Sequence, residues 1–324
     1  MRRVRLPALF RRLLLKDHWC VAIRRRRTGR EGYRSTDGYT VLPTPRDRYY
    51  ADPFIVAHGG RQYLFFEDFP FERSKGMIGC MALDPAGRPT EAEVVLERPY
   101  HLSFPCVFDW AGEVWMIPET SANRTIELYR AVRFPHVWRP EKRLMEGLQA
   151  SDTTVLFHDG NVWLFTSLER PGKYAYNELH LFRSRSLLGD WVPHAGNPVV
   201  RDVARARPAG RVFEDAGALI RPGQDCSRGY GYGVQFSQIE VLNPREYAEV
   251  PCGRTIPDWL PNGAGTHTYN CNEEFEVRDG NRTELDVYGK WLAVAGRGRR
   301  LLGRRGARAG ATAERDDARS PVAG

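Results

Sequence analysis

Apolar runs that stop at a glycine turn and return as aromatic-rich runs recur down this chain. The clearest copy starts at Ala51-Asp52-Pro53-Phe54-Ile55-Val56-Ala57, turns at His58-Gly59-Gly60, and comes back as Arg61-Gln62-Tyr63-Leu64-Phe65-Phe66. That pattern predicts a β-hairpin with a carboxylate and a proline at its entrance. A second copy turns at Ala111-Gly112 between Phe104–Phe108 and Glu113–Ile117, and a third at Asp159-Gly160 between Asp152–Phe157 and Asn161–Phe165. A fourth runs from Arg207 to Phe213, turns at Ala216-Gly217 and returns through Ala218–Ile220. A fifth, more degenerate, runs from Thr266 to Val277 with its turn placed at Asp279-Gly280. The turn glycines Gly60, Gly112, Gly160, Gly217 and Gly280 recur at about 50 residues, the length of a four-stranded propeller blade. The chain is therefore predicted to be all-β, a five-bladed β-propeller.

The remaining segments fit that plan. Gly76–Met81, Val94–Leu96, Ile126–Arg130 and Glu178–Phe182 read as outer strands, and His18–Ile23 as an early strand that completes the last blade and closes the ring. The propeller is expected over residues 31–294, with Lys290–Val294 as a last short strand. Residues 1–30 are read as a basic extension, and residues 295–324, rich in Arg, Gly and Ala, as a disordered tail.

Charge changes the picture more than composition does. The formal charge of +8 is carried by the ends: residues 1–30 hold eleven Arg or Lys and one acid, and residues 295–324 hold eight Arg and three acids. The body between them is net −7, which argues against a nucleic-acid groove inside the fold. Residues 1–16 set Leu6, Leu9, Phe10, Leu13 and Leu14 on one side of a helical wheel and arginines on the other. This suits a peripheral contact with an anionic membrane surface, or simply a frayed basic extension, which is favoured. Six scattered cysteines without C-x-x-C spacing read as reduced thiols in a cytoplasmic protein.

Blade geometry narrows the search for chemistry. The innermost strand begins at the same face of the ring at which its antiparallel partner ends. Strand starts supply Asp52, Phe104, Asp152, Arg207 and His267; strand ends supply Glu67, Asp68, Glu119, Thr120, Ser167, Gln224 and Asp225. Asp52 and Asp152 each lie eight residues before a turn glycine, so they hold equivalent places in two blades. Carboxylates gathered at a buried mouth suit glycosidic chemistry, in which one stays ionised and another is kept protonated. The alternative for Asp52 is a local cap on backbone amides beside Pro53.

Ala-Asp-Pro-Phe-Ile with its glycine turn and aromatic return resembles the first blade of the five-bladed glycosidase superfamily of arabinanases, β-xylosidases, levansucrases and invertases. That resemblance, over about residues 39–285, implies a base or nucleophile at Asp52 and a tuning partner at Asp152. It implies a glutamate acid in the fourth blade as well, but Ala206-Arg207-Pro208-Ala209-Gly210-Arg211 offers none there, and Glu214 lies beside the turn at the far end of the strand. A closer likeness runs through Arg98–Pro105, Ile117–Ser121, Ala206–Gly210 and Gln224–Ser227. These stretches resemble the propeller domain at the N-terminus of plant glucosamine inositolphosphorylceramide transferases, which is also found in bacterial proteins alone or beside formyltransferase-like domains. It implies a glycan setting without supplying a reaction.

On this reading Asp52 is base or nucleophile, Asp152 its partner, and Glu119 the best-placed remaining acid. Arg207, His101, Asp225, Gln224, His267 and Glu67 are expected to contact a carbohydrate or glycoconjugate. Tyr63, Trp115 and Trp163 share one return-strand position and read as core, whereas Tyr174 and Tyr176 are better placed for a ligand. No P-loop, G-x-G-x-x-G, H-E-x-x-H, G-x-S-x-G, paired-cysteine zinc site or D-x-D motif calls for a cofactor or metal. A non-catalytic carbohydrate-recognition module or a scaffold in cell-envelope glycan assembly is the rival reading, favoured by the arginine in blade four.

Overall fold

The structure, a computed structural model, describes residues 15–27, 32–169 and 176–285. Residues 1–14 of the expected amphipathic segment, the strand at Lys290–Val294, the tail from residue 295 and Tyr174 lie outside them; the last two residues of that segment, Leu15 and Lys16, open a β-strand and not a helix. Five antiparallel sheets follow one another around a ring. After β1 (Leu15–Arg25) and β2 (Thr40–Val41), blade one is built from β3 (Arg48–His58), β4 (Arg61–Pro70), β5 (Met77–Leu83) and β6 (Glu93–Leu96). Blade two comprises β7 (Ser103–Trp110), β8 (Glu113–Thr120), β9 (Thr125–Arg133) and β10 (Val137–Glu146). Blade three comprises β11 (Ala150–His158), β12 (Asn161–Leu168) and β13 (Glu178–Ser184), edged by β14 (Val192–Pro193) and β15 (Val200–Arg201). Blade four comprises β16 (Phe213–Asp215), β17 (Ala218–Asp225), β18 (Gly233–Leu242) and β19 (Tyr247–Thr255).

Blade five joins the two ends of the described chain. Its strands β20 (Gly263–Gly265) and β21 (Tyr269–Cys271) pair with β22 (Phe275–Leu285), and β1 pairs with β22 along its whole length, with β2 outside it. A propeller closed by its first strand leaves no seam at which the ring can open cheaply, because the register couples residues such as Cys20 and Gly280.

The hairpin turns explain the glycine spacing. In blades one to four the two turn residues both have positive φ: Gly59 and Gly60, Ala111 and Gly112, Asp159 and Gly160, Ala216 and Gly217. These are the mirror-image turns whose twist matches that of the flanking strands. The fifth turn is a correction to the sequence reading. Gly280 lies inside β22, and the chain reverses at Asn272-Glu273-Glu274, where Asn272 Oδ1 accepts from the Glu274 and Phe275 amides. The slip matters, because Asp279 thereby moves from a turn to the mouth of the ring.

Apolar faces of successive blades pack on one another. Phe54 meets Phe104 edge-on at 4.9 Å, and Trp115 and Trp163 are buried, as their shared return-strand position predicts. Tyr63 is half-buried against Phe134. All six cysteines are free thiols.

Candidate functional site at the mouth of the ring

In each of the first three blades the inner strand carries the same irregularity just inside the mouth. Pairing skips between Ala51 and Phe54, between Ser103 and Cys106, and between Ser151 and Thr154. The first bulged residue of each, Asp52, Phe104 and Asp152, has φ of 52°, 44° and 53°. Such left-handed geometry costs a non-glycine residue on the order of 1 kcal/mol or more, so the surroundings must hold it. They do so through the freed amide. Asp52 N–H donates to Asp279 Oδ2 at 3.2 Å, Phe104 N–H to Asp52 Oδ2 at 3.2 Å, and Asp152 N–H to Glu119 Oε2 at 3.0 Å. Each bulge amide is thus met by a carboxylate of the preceding blade. The local cap envisaged for Asp52 is in fact a link to the next blade.

Two groups result. On one side, His267 Nδ1 lies 2.5 Å from Asp279 Oδ2, while the amides of His267 and Thr268 donate to Asp279 Oδ1 at 2.8 and 3.0 Å. Thr268 Oγ1 donates to Asp52 Oδ1 at 2.8 Å, and the His267 ring stacks on Trp19 with centroids 4.0 Å apart. On the other side, Arg207 Nε donates to Asp152 Oδ2 at 2.5 Å, Gln224 Nε2 donates to the same oxygen at 2.6 Å, and Arg207 Nη2 lies 3.7 Å from Glu119 Oε2. Glu67 forms a third, looser group: Tyr49 Oη donates to its Oε1 at 3.4 Å and His101 Nε2 stands 3.5 Å away. His101 Nδ1 accepts from the Gly76 amide at 2.9 Å, so the neutral ring carries its proton on Nε2, facing Glu67. A side chain at Gly76 would collide with Glu67 Oε1 and the His101 ring, which explains the glycine.

The electrostatics separate these carboxyls. Burial, with help from the Asp152 charge, pushes Glu119 up to about 8. Burial raises Asp52 only to about 6, because His267 pulls the other way. Glu67 is held well above the usual carboxylate range by burial and by Asp52 and Glu119. For His267, burial opposes the charge, but the Asp279 and Asp52 carboxylates outweigh it and lift the ring to about 9. Asp279 is correspondingly held low, the His267 charge overcoming its burial. Glu119 therefore keeps its proton to higher pH than Asp52 does.

A pH dependence follows. Glu119 and His267 bind protons more tightly folded than unfolded, so the folded state holds extra protons between their ordinary 4.5 and 6.5 and their shifted values near 8 and 9. Stability from these groups is complete on the acid side and is lost as pH rises. The melting temperature is expected to fall between pH 6 and pH 9 in a scanning-fluorimetry series, with a shallower fall in Glu119→Gln. A flat or rising profile would contradict the assignment.

Asp52, Asp152, Glu119, Glu67, Arg207, Gln224, His101 and His267 all reach this mouth. Asp225 does not join them: it follows Gln224 on the opposite face of the strand, where Arg254 and the Ser227 amide take its carboxylate. Sequence reasoning missed Asp279, Thr268, Trp19, Tyr49 and Tyr230. For Asp279 the signal was present in the short polar break Asn272–Glu274, which marks the true turn. Asp52, His267 and Asp279 also bring one ligand atom each within 4.8 Å of one another, a donor set of the kind divalent cations accept. A cation there has to replace the proton between His267 and Asp279.

Residues 42–294 match the family model described as glucosamine inositolphosphorylceramide transferase 1, N-terminal. The glucosamine inositolphosphorylceramide transferase 1 of Oryza sativa subsp. japonica is 39% identical over 212 residues, which are 64% of this chain and 28% of that protein. Its Arabidopsis thaliana counterpart is 38% identical over 205 residues, 62% of this chain and 26% of that one. The chain thus spans less than a third of the length of these curated relatives. Among solved structures, a family 117 glycoside hydrolase produced by the marine bacterium Zobellia galactanivorans superposes with a TM-score of 0.51 at 11% identity, covering 85% of this chain and 92% of its own. A β-xylosidase superposes with a TM-score of 0.50 at 12% identity, covering 65% and 78%. At such identities these two structures share the fold.

Proposed function

This chain belongs to the family of the N-terminal domain of glucosamine inositolphosphorylceramide transferase 1, and from that premise we propose that it is a glycan-active propeller with hydrolase-like or glycosyl-transfer character. The observation that carries the reading is one mouth holding two buried carboxyls in different surroundings, Asp52 bonded to Thr268 with His267 close by and Glu119 beside Asp152 and Arg207, which keep the proton on Glu119 to higher pH than on Asp52. That separation is what splitting or forming a glycosidic bond needs: a carboxylate to accept a proton or attack, and a carboxylic acid to protonate the departing oxygen. Asp52 takes the first role and Glu119 the second. Asp152, fixed by Arg207 and Gln224, orients Glu119 and sets its acidity.

A second reading rests on a specific observation. Asp279, Asp52 and Glu119 each hold a bulge amide, so each has a structural task, and Arg207 with Gln224 occupies the blade-four position where the glycosidase pattern has its acid. A non-catalytic sugar-binding module meets both conditions. The relatives are named glucosamine inositolphosphorylceramide transferases, which makes amino sugars and inositol phosphate glycans the first ligands to try. A glycan array probed with wild type and with Arg207→Ala tests the shared part of both readings. Retention of discrete glycans by the wild type, weakened in the variant, is the expected result; an array on which the wild type retains nothing removes the glycan reading.

A further inference from the structure

Tyr230 is the exposed aromatic of this mouth. It sits in Ser227-Arg228-Gly229-Tyr230-Gly231-Tyr232, between glycines with φ of 135° and 66°, and its residue surface is 53% open although the groups beneath it are buried. The Arg207 guanidinium covers one face of its ring, 5.2 Å from the centroid, and His267 meets the ring edge-on at 5.4 Å. Gly231 cannot take a side chain without pressing on Trp19 and His267, so the loop is seated close on the cluster. Arg207 thus holds the ring, while about half of the residue's surface stays open to solvent.

Glu67 is a second, independent oddity. Asp279, Asp52 and Glu119 each hold a bulge amide, and Asp152 holds Arg207, but among the described residues no backbone amide bonds to Glu67. Its Oε1 takes two long contacts, from Tyr49 and His101, and among the described residues no hydrogen bond reaches its Oε2. Glu67 itself is buried, 5% exposed. Tyr49, stacked on Phe69 with centroids 4.7 Å apart, stands close enough to Tyr230 that the Tyr230 phenol adds to what raises Tyr49, after burial and the Glu67 and Asp52 charges have done so more strongly.

We infer that the mouth seats one pyranose ring between Tyr230 and the Tyr49–Glu67–His101 group, its C–H face on Tyr230 and its hydroxyls bonded to Glu67. An aromatic face with a polar edge opposite it matches a sugar ring, which has an apolar C–H face and a rim of hydroxyls. This seat rests on the glycan reading above and serves either version of it, turnover or binding alone. It makes Tyr230 and Glu67 the residues that select the ligand, and leaves Asp52 and Glu119 beneath it.

The test uses methyl glycosides of glucose, glucosamine, N-acetylglucosamine, mannose and galactose, with the natural oligosaccharides retained on the array. Binding is followed by saturation-transfer NMR and calorimetry on the full chain and on Tyr230→Ala, Tyr230→Trp and Glu67→Gln, each checked for folding by circular dichroism. The best wild-type ligand is expected to weaken about tenfold in Tyr230→Ala and to lose saturation of its ring C–H protons, while Tyr230→Trp stays within about threefold. Glu67→Gln is expected to weaken binding but keep the ring C–H signature. Unchanged affinity in Tyr230→Ala, with the wild type binding, overturns the seat and leaves the glycan reading standing. A wild type that binds no sugar overturns both.

Discussion

Replacing Asp279 with alanine is expected to lower the free energy of unfolding by about 3–5 kcal/mol, the cost of stranding a buried charge whose partner has been removed. The side chain is fully buried, and its two oxygens serve His267 Nδ1 and the amides of Asp52, His267 and Thr268. Removing it leaves the imidazole with Asp52, 3.8 Å away, as its near carboxylate among the described residues, and unsatisfied amides at a bulge held in left-handed geometry. The lost Coulomb attraction is partly returned, because the ring deprotonates once Asp279 no longer raises it. The amides have no such escape, and they keep the effect large. Asp279→Asn, which preserves shape and one acceptor, is expected to lie between wild type and alanine. Urea denaturation at pH 7 measures both; a loss below about 1 kcal/mol for alanine would mean that the carboxylate–amide links do not hold the blades.

The propeller was legible in the sequence because its turns are chemically constrained. Four Xaa-Gly turns need two positive φ values in succession, so glycine marks them, and counting back eight residues from two of them lands on Asp52 and Asp152. The mouth was legible for the same reason, since antiparallel geometry alone decides which strand ends share a face. Asp279 was not, because Asp-Gly is a strong turn signal in isolation and only pairing with Thr268 and β1 places it within a strand. The links between bulge amides and carboxylates were not legible either. They join residues 33 to 227 positions apart, and no local pattern announces them. Tyr230 lies in a glycine-rich loop without strand periodicity, so its contact with Arg207 and His267 appears only in three dimensions.

If the mouth turns over glycans, Asp52→Asn is expected to reduce kcat by about 10²–10⁴, the usual contribution of a positioned acid or base. The amide is isosteric and retains one acceptor oxygen for Thr268 or the Phe104 amide, so a folded protein with ligand affinity largely kept is expected. It cannot accept a proton or attack carbon at neutral pH. An effect confined to KM would instead mean that Asp52 only binds. Changing Glu119 to Gln should move the alkaline limb of the pH profile, since the acid that must stay protonated up to about 8 is then gone.

The measurement that bears most directly on this is product release from a panel of aryl furanosides, aryl pyranosides and natural oligosaccharides, with and without phosphate, by wild type and Asp52→Asn side by side. Turnover by the wild type that falls at least about a hundredfold in the folded variant is the predicted result. Turnover that survives in Asp52→Asn, or no product from any member of the panel while sugars still bind, would contradict the catalytic account and leave the mouth as a recognition site.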